Sequence, residues 1–448
     1  MPDLLSGWGR TAPTAATVVR PRDVEHVSEL LAAPTHRGVA ARGLGRSYGD
    51  SAQNAGGLVL DLTGLNQILD LDLTTGVLRA QAGVRLDSLL RRIVAAGWFL
   101  PVTPGTSAVT VGGAIAADVH GKNHHRDGSL GRYVLSITVA IPDADVVTVT
   151  AKSDPELFFA TLGGMGLTGI IVESTIQLMP IANSMMSVNT TRAANLDQLL
   201  EELMKAEANN RYGVAWLDCL ASGRSLGRGI VTSGDHATSD ETSGRRTAQP
   251  RSDPGESATP GTRSFTPPCG FVTRGTIAAL NELWFRKSPT HKAGEILPFE
   301  KFFYPLDRVR GWNRLYGPSG FLQHQCVVPE ESTLRFILAE LAKARVPVAL
   351  AVLKRFGPGT PGPLSFPRPG WTLALDIATR APELAPILDK IDDLVADSGG
   401  TIYLAKDSRV RPELIPVMYP RLSEWNAIRD RVDPNRRLVS DQSRRLSL

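Results

Sequence analysis

VGGAIAADVHGKNHH, residues 111–125, and ARGLGRSYGD, residues 41–50, are the two stretches on which the fold prediction rests. Each combines glycines with a few polar residues, and apolar segments typical of strands flank both. Glycine lets backbone N–H groups approach phosphate oxygens closely, and successive N–H groups form concave anion sites. The two stretches are therefore predicted to be loops that converge on one large anionic ligand.

Residues 41–50 match neither of the two best-known phosphate-binding motifs. A P-loop needs GK[ST], which is missing, and the spacing GxGxxG is absent because Gly43 and Gly45 are followed by Gly49. A plain tight turn remains the alternative for this stretch on its own. The second stretch strengthens the ligand interpretation, because residues 110–114 begin a helix without large side chains and leave room for a flat ring or a pyrophosphate.

Length and composition describe a globular protein. The 448 residues suffice for two or three domains, and 42% hydrophobic with 21% charged residues is ordinary for such proteins. A net charge of +4 favours anionic small molecules or a membrane surface as partners. A dedicated nucleic-acid protein would carry a basic stripe and a recognisable motif, so nucleic-acid binding is not expected.

The cysteines and the apolar segments exclude further classes. Cys219, Cys269 and Cys326 are far apart and odd in number, which argues against a zinc site or a disulfide framework and indicates a reducing compartment. MPDLLSGWGRTAP at the start shows no basic region followed by an apolar stretch, so no secretory signal is expected. No apolar run reaches 18 residues, so no membrane span is predicted.

Periodicity predicts the main elements. Helices are expected at 23–32, at 85–98, from 154 onward and around 412–432, and a hairpin at 135–150. Strands are expected at 39–42, 169–180, 321–328, 348–356 and 371–377. Residues 233–265 are almost without apolar side chains, which predicts a mobile loop.

Three glycine-rich elements resemble a known family. A strand running into RGxGRS, a later PGT…TVGGAIA…HG, and GGMGLTGII at 163–171 are similar in kind and order to the vanillyl-alcohol-oxidase (PCMH-type) FAD-binding superfamily. This resemblance covers residues 16–180. Further motifs, SGWGRTAP, HGKNHH, ELWFRKS, FLQHQ, LSFPRPGW and AKDSR, resemble the decaprenylphosphoryl-β-D-ribose 2-oxidases of actinobacteria over the whole chain except residues 233–265.

The resemblance implies a two-domain α+β flavoprotein. Residues 1–182 would form the FAD-binding domain, residues 183–396 a substrate domain with a mixed or antiparallel sheet, and residues 397–448 a segment that returns to the first domain. The implied reaction is FAD-dependent oxidation of the 2-hydroxyl of decaprenylphosphoryl-β-D-ribose to a ketone. A separate NADH-dependent short-chain reductase would reduce that ketone with inversion, which yields the arabinose donor for cell-wall arabinan.

Two other functions stay open at this point. One is an alditol or aldonolactone oxidase of the same superfamily, and the other is a non-catalytic flavin-binding protein. The lipid substrate implies peripheral contact with the plasma membrane. A cytoplasmic location is expected from the sequence, and the periplasmic face is the alternative that the resemblance implies.

The cofactor site implied by the resemblance combines the loops above with a few later residues. Residues 41–51 would face the FAD pyrophosphate, and the others the flavin and ribityl chain. The set is Ala41, Arg42, Gly43, Leu44, Gly45, Arg46, Ser47, Tyr48, Gly49, Asp50, Ser51, Gly105, Thr110, Val111, Gly112, Gly113, Ala117, Asp118, Val119, His120, Ile171 and Tyr403. Relatives that bind flavin covalently carry a histidine where this chain has Arg46, so the resemblance implies non-covalent FAD.

His120 and Lys406 are the candidate catalytic groups. Alcohol oxidation needs a base for the hydroxyl proton and a cation near the reduced flavin. His120 acts either as that base or as a group that positions the flavin, and it is alternatively a satisfied polar residue. Lys406 follows an apolar strand, where an unpaired ammonium is costly, so a salt bridge to Asp407 or Asp376 is its structural alternative. No metal site is expected from His120, His124 and His125, because no HExxH-type base accompanies them and Gly121 interrupts the helix.

Several polar residues match substrate positions of the resembled family, and Gln323 and Gln325 alternate along one strand so that both can face the pocket. A polar outer sheet face, or a core position for the tryptophan, is the alternative. The set is Tyr48, Trp216, Gln323, Gln325 and Lys354.

Two residues depart from the resembled family. Ala374 stands where mycobacterial relatives carry a cysteine that covalent inhibitors attack, and Phe303 replaces a tyrosine. The basic, aromatic segment 283–292 is interpreted as a membrane contact or as a solvated loop.

Overall fold

The computed structural model describes residues 2–143, 145–242, 270–309, 311–380 and 384–448. The first 180 residues build a four-stranded sheet, a five-stranded sheet and a two-stranded ribbon. Their strands are β1 (Asp3–Leu5), β2 (Thr14–Val19), β3 (Val39–Arg42), β4 (Leu58–Asp61), β5 (Ile68–Asp72), β6 (Val77–Gln81), β7 (Trp98–Phe99), β8 (Val134–Ala140), β9 (Val147–Val149), β10 (Ile170–Gln177) and β11 (Met179–Pro180).

The two sheets differ in strand direction. The first has the order β1-β2-β4-β3, with parallel pairing of β2, β4 and β3. The second has the order β5-β6-β10-β8-β9 and is antiparallel, and β7 pairs separately with β11. Helices of this part are α1 (Val24–Ala32), α2 (Leu86–Ala95), α3 (Val111–Ala116), α4 (His124–Asp127) and α5 (Pro155–Thr161).

An eight-stranded antiparallel sheet follows, in the order β15-β12-β14-β13-β17-β18-β16-β19. Its strands are β12 (Met185–Ala193), β13 (Tyr212–Leu217), β14 (Gly229–His236), β15 (His291–Pro298), β16 (Phe321–Val328), β17 (Val348–Phe356), β18 (Gly370–Ala378) and β19 (Thr401–Ile402). The remaining helices are α6 (Leu196–Asn209), α7 (Ser239–Thr242), α8 (Arg274–Lys287), α9 (Phe299–Phe303), α10 (Glu331–Ala344), α11 (Leu384–Asp397), α12 (Ile415–Met418), α13 (Leu422–Val432) and α14 (Asp441–Leu446). Separate sheets with helices packed beside them confirm the α+β class.

Local chemistry explains several helix ends. The side chains of Asp23 and Asp154 accept hydrogen bonds from the first-turn N–H groups of α1 and α5, as expected for N-caps. In α2 the apolar residues lie on one buried face, which includes Leu86, Leu90 and Ile93.

Four sequence predictions need correction. Residues 233–236 belong to β14 and residues 239–242 to α7, while residues 243–265 of the predicted mobile loop lie outside the described residues. The helix predicted at 85–98 ends at 95, because Gly97 has a φ of +82° that turns the chain into β7. Residues 283–292 end α8 and begin β15 rather than forming a loop, and the helix at 412–432 divides into a 3₁₀ turn, α12 and α13.

Among the described residues, no helix is both long and apolar enough to cross a membrane.

Candidate active site

The two glycine-rich loops lie against each other. A Cβ atom on Gly43 would stand 2.3 Å from the hydroxyl oxygen of Thr110, so only glycine permits this approach. Thr110 is the N-cap of α3, and its hydroxyl accepts a hydrogen bond from the N–H of Gly113 at 3.2 Å. The first loop therefore touches the start of α3, although the two are almost 70 residues apart in the chain.

The first loop and the start of α3 form a glycine-rich cradle whose backbone is closely packed. Gly45 has a φ of +62°, a backbone conformation that other residues adopt only with strain. A Cβ on Gly112 would lie 2.6 Å from that of Ala82, so glycine is needed there for packing, whereas one on Gly105 would have no heavy atom within 4 Å. Backbone N–H groups of such glycine-rich loops suit the pyrophosphate of a dinucleotide, and the backbone at Gly105 is open to a flat ring.

Other predicted cofactor residues shape this cradle. Asp118 is buried, and its carboxylate accepts hydrogen bonds from the hydroxyls of Ser129 and Thr360 and from the N–H of Gly131. That side chain is therefore committed to the protein, and Asp118 can meet a ligand through its backbone alone. The hydroxyl of Tyr403 donates to the carbonyl of Ala117 at 2.7 Å. Val111, Val119 and Ile171 belong to the hydrophobic core behind the loops.

Arg46 contacts an aromatic ring. Its guanidinium carbon is 3.9 Å from the ring centroid of Trp8. This distance is typical of a cation–π contact.

His120 follows α3 and is buried among aromatic rings. Its ring centroid lies 4.8 Å from that of Phe356 and 5.5 Å from that of Tyr403. Nε2 is 2.9 Å from Nε2 of Gln325, and Nδ1 is 3.2 Å from Nζ of Lys354. Burial and the nearby positive charges, that of Lys354 first, hold the pKa of His120 well below its usual value.

These contacts occupy both ring nitrogens of a neutral imidazole. If the amide nitrogen of Gln325 donates to Nε2, the ring proton sits on Nδ1 and Lys354 must accept it as an amine. If the amide of Gln325 has the opposite orientation, Nε2–H donates and Nδ1 accepts from the ammonium of Lys354. In either arrangement His120 has no lone pair left for a substrate proton.

Three half-buried lysines lie around this histidine. Burial lowers the pKa of Lys122 to about 7, and burial together with the charges of Lys122 and Lys406 lowers that of Lys354 to about 7. The Nζ of Lys122 lies 4.2 Å from the ring centroid of Phe302 and donates to that residue's carbonyl oxygen. Since buried like charges repel, the arrangement favours an anionic ligand that compensates them.

Lys406 belongs to a second group of polar side chains. Its Nζ lies 4.0 Å from the ring centroid of Tyr48. The hydroxyl of Tyr48 is 3.2 Å from Nε2 of Gln323, which also donates to the carboxylate of Asp376. Burial lowers the pKa of Lys406, and the charge of Asp376 opposes that shift.

Asp407 is not the counter-ion of Lys406. Its carboxylate accepts from Arg445 at 2.8 Å and from the N–H groups of Arg409 and Val410 at 2.9 and 2.8 Å. Of the two salt-bridge partners considered for Lys406, only Asp376 affects its pKa, which the carboxylate charge raises.

Strand register places the remaining predicted residues, Trp216, Gln323, Gln325 and Lys354, on one face of the large sheet. This face is called the polar sheet face. Gln325 and Val352 both lie opposite Ala374, and Val352 also lies opposite Trp216. Side chains of directly opposed residues share a face. Gln323 and Lys354 are each two positions from members of this row and share the face as well. Gln325 is 2% exposed, so the alternative of a solvated outer face is wrong for it.

Lys122 and Thr372 were not predicted from the sequence as members of this site, and Asp376 was considered only as a salt-bridge partner of Lys406. Lys122 stands inside HGKNHH, Asp376 stands two residues after Ala374, and the hydroxyl of Thr372 is 3.1 Å from the amide of Gln325. A charged residue within an apolar strand or a glycine-rich buried stretch would have pointed to the first two.

The two departures from the resembled family have different surroundings. Ala374 leaves a small side chain beside Gln325 on the polar sheet face. Phe303 is buried, with its ring centroid 4.9 Å from that of Tyr212 and 5.9 Å from Nζ of Lys122. In the described part of the chain, no cluster of three or more His, Cys, Asp or Glu residues is arranged to hold a metal ion.

Comparison with known proteins identifies the relatives. Residues 15–150 match the FAD binding domain family. The chain is 40% identical to the decaprenylphosphoryl-beta-D-ribose oxidase of Mycolicibacterium smegmatis, over 99% of this chain and 97% of that protein. It is 38% identical to an uncharacterised protein of Streptomyces coelicolor, over 82% of this chain and all of that protein. An L-gulono-1,4-lactone dehydrogenase of Mycobacterium tuberculosis is 22% identical over 100% of this chain and 99% of its own length.

The glycine-rich cradle and the polar sheet face thus occur in a chain whose first domain binds FAD. The similarity to the Mycolicibacterium smegmatis enzyme extends over nearly the full length of both proteins. The chain belongs to the decaprenylphosphoryl-β-D-ribose oxidase family of FAD-dependent oxidoreductases.

Proposed function

We propose that the protein oxidises the 2-hydroxyl of decaprenylphosphoryl-β-D-ribose to the 2-keto sugar, the first step of its epimerisation to the arabinose donor. The observation that carries this proposal is the cluster of three half-buried lysines, Lys122, Lys354 and Lys406, beside an FAD-binding cradle. A phosphorylated sugar and a reduced flavin are both anionic, and both would compensate these cations.

The domain roles follow from the same proposal. Residues 1–182 and 397–448 bind FAD, and residues 183–396 supply the substrate face. The cradle residues between 41 and 51 and between 105 and 120 hold the cofactor, with Ile171 and Tyr403 behind it. When bound, FAD accepts the hydride that leaves C2 of the sugar.

Lys406 is the base in this proposal, and His120 positions its neighbours. Both nitrogens of His120 are engaged by Gln325 and Lys354, so this ring is poorly placed to take a proton. Burial lowers the pKa of Lys406, which makes its amine form accessible for the hydroxyl proton. The ammonium formed would then help to compensate negative charge that develops in the site. Tyr48, Gln323, Gln325, Lys354 and Trp216 contact the substrate.

An aldonolactone oxidase is the second candidate, because the full-length similarity includes a lactone dehydrogenase. A lactone ring carries no phosphate and gives the half-buried lysines no ionic partner. The lysine cluster therefore favours the phosphorylated substrate.

Anaerobic mixing with a panel of alcohols tests the reaction. We expect decaprenylphosphoryl ribose to bleach the flavin absorbance, and L-gulono-1,4-lactone, galactonolactone and xylitol to leave it unchanged, because only the first provides a phosphate for the lysines. Addition of an NADH-dependent short-chain reductase should convert the keto product to the arabinose epimer. Bleaching by a lactone but not by the phosphorylated sugar would replace this function with the second candidate.

FAD is proposed to be held without a covalent bond. Arg46, which stacks on Trp8, offers no nucleophilic ring nitrogen at the position where covalent relatives carry histidine. After acid precipitation the yellow flavin should appear in the supernatant. Flavin that remains in the protein pellet would contradict this prediction.

Substitution of Lys406 by Met tests its role as the base. The thioether keeps much of the contact with Tyr48 and removes the amine, so the rate of flavin reduction should fall by about 10²- to 10⁴-fold. In the wild-type protein the rate should rise with pH through a midpoint below the ordinary lysine pKa of about 10.4, and this rise should vanish in the variant. Lys390→Met, which removes an exposed lysine paired with Glu340, is the matched control and should reduce flavin at the normal rate. A normal rate in the Lys406 variant would exclude this lysine from the chemistry.

Helix α8 is proposed to rest on an anionic bilayer, where the lipid substrate is found. Leu280, Leu283 and Trp284 are 58%, 63% and 56% exposed and lie on one side of the helix. Residues 270–315 contain eight Lys or Arg and four Asp or Glu, an excess equal to the net charge of the whole chain. Phe285 faces the opposite way, since its ring lies under Arg192 and Arg228.

Vesicle sedimentation tests this contact. The double substitution Leu283→Ser with Trp284→Ser should weaken binding to vesicles rich in phosphatidylglycerol by about tenfold or more, because two apolar side chains leave the bilayer. Leu73→Ser removes a leucine that is 56% exposed near β5 and should bind like the wild-type protein. Equal binding of the double variant and the wild-type protein would exclude α8 as the contact.

A further inference from the structure

The carboxylate of Asp376 is an unusual feature of the polar sheet face. Asp376 is 1% exposed, lies on β18 directly opposite Gln323, and is bound by the amide nitrogen of that residue. Its second oxygen, Oδ2, is buried and has no hydrogen-bond partner among the described residues. A buried carboxylate oxygen without a donor is costly, so its retention calls for a compensating charge or ligand.

Asp376 fixes the orientation of the Gln323 amide. Burial raises the pKa of Asp376 to about 7. In its ionised form the carboxylate accepts hydrogen bonds and cannot donate them, so the NH₂ group of Gln323 faces it. The same nitrogen lies 3.2 Å from the hydroxyl oxygen of Tyr48, which therefore accepts. The hydroxyl hydrogen of Tyr48 is then free to donate to another atom. Burial and the charge of Asp376 raise the pKa of Tyr48 well above its usual value, so this hydrogen stays in place.

Lys406 completes this chain of contacts. Its ammonium lies over the ring of Tyr48, at 4.0 Å from the centroid, and Asp376 is the charge that raises its pKa against the effect of burial. Lys406 in turn lowers the pKa of Asp376, which burial raises. Each group thus favours the charged form of the other.

We propose that Asp376 is a positioning residue: its carboxylate anchors Gln323, which directs the hydroxyl of Tyr48 toward the substrate, and its charge favours the proton-carrying form of Lys406. This proposal rests on the proposed function in placing the substrate beside the hydroxyl of Tyr48 and in assigning the proton of the substrate hydroxyl to Lys406. In that step the amine of Lys406 would take the hydroxyl proton, and bound FAD would supply the acceptor for the hydride of C2 as the C–O bond becomes a carbonyl. Asp376 stabilises the ammonium that results.

Other charged and titratable groups face Lys406 from the neighbouring elements. Lys354 on β17 and His120, four residues beyond the end of α3, are close enough to Lys406 for its charge to lower their pKa values. Tyr316 lies near Asp376, and its pKa is raised by burial and by that carboxylate. Asp407 is already paired with Arg445. Asp376 is therefore the carboxylate that can set the protonation of Lys406.

Direct measurement of the Lys406 amine tests this role without any substrate. The chain has ten lysines, so ¹³C labelling at lysine Cε should give a resolvable spectrum of the FAD-loaded protein, with Lys406 assigned from Lys406→Met. In Asp376→Asn, which keeps the shape and removes the charge, the titration midpoint of Lys406 should fall by roughly one pH unit or more. Asp70→Asn removes an exposed carboxylate from the edge strand β5 and should leave the midpoint unchanged.

An unchanged Lys406 midpoint in Asp376→Asn would overturn the proposal. If that variant does not fold, the reciprocal experiment decides: in Lys406→Met the midpoint of Asp376, followed by its carboxyl ¹³C signal, should rise, and an unchanged value would overturn the proposal equally. With substrate, the acid side of the pH profile for flavin reduction should move to lower pH in Asp376→Asn. A shifted midpoint in a protein that does not oxidise the phosphorylated sugar would reject the proposed function and leave the role of Asp376 intact.

Discussion

Arg445 connects three segments that are distant in the sequence. Its guanidinium binds the carboxylate of Asp50 at 2.9 and 3.0 Å and that of Asp407 at 2.8 Å. Asp50 ends the first glycine-rich loop, and Asp407 follows Lys406 directly. A single side chain on the last helix therefore holds the first loop and the Lys406 turn together. Gly49 allows the same contact from the other side, since a Cβ there would lie 2.0 Å from the carbonyl oxygen of Asp407.

Lowered pKa values explain how half-buried lysines can persist in the site. Charged groups removed from water are costly, and Lys122, Lys354 and Lys406 have pKa values that burial has lowered. At neutral pH part of this cost is avoided because such lysines lose protons readily. The same property suits a site that must accept a proton and then tolerate new negative charge. The same desolvation thus affects both the energetic cost of placing these lysines in the site and their pKa values.

The sequence was most informative where structure depends on neighbouring residues. The strands expected at 321–328 and 348–356 coincide with β16 and β17, and the alternation of Gln323 and Gln325 correctly placed both on one face. It was least informative where the outcome depends on distant segments. The polar composition after residue 233 suggested a loop, yet β14 is held between β12 and β13, whose pairing no local pattern reveals.

The unpredicted site residues have the same explanation. Asp376 looked like a possible salt-bridge partner and nothing more, because its link to Tyr48 passes through Gln323 on another strand. Lys122 is two residues from His120 in sequence, but its burial depends on Phe302 from α9. Local periodicity cannot report such contacts, since they join residues of separate elements.

Ala374 lies on the polar sheet face but is not one of the groups assigned to proton transfer. It lies opposite Gln325 and Val352, in the middle of the row, and presents only a methyl group. The groups assigned to proton transfer lie elsewhere: Lys406 over Tyr48, and Asp376 two residues along the strand on the same face. A side chain at position 374 can therefore change what fits against the sheet without altering the proton path. An alanine at this position is compatible with the proposed function, because the proposed proton transfer uses Lys406 and the residues that orient it and no thiol.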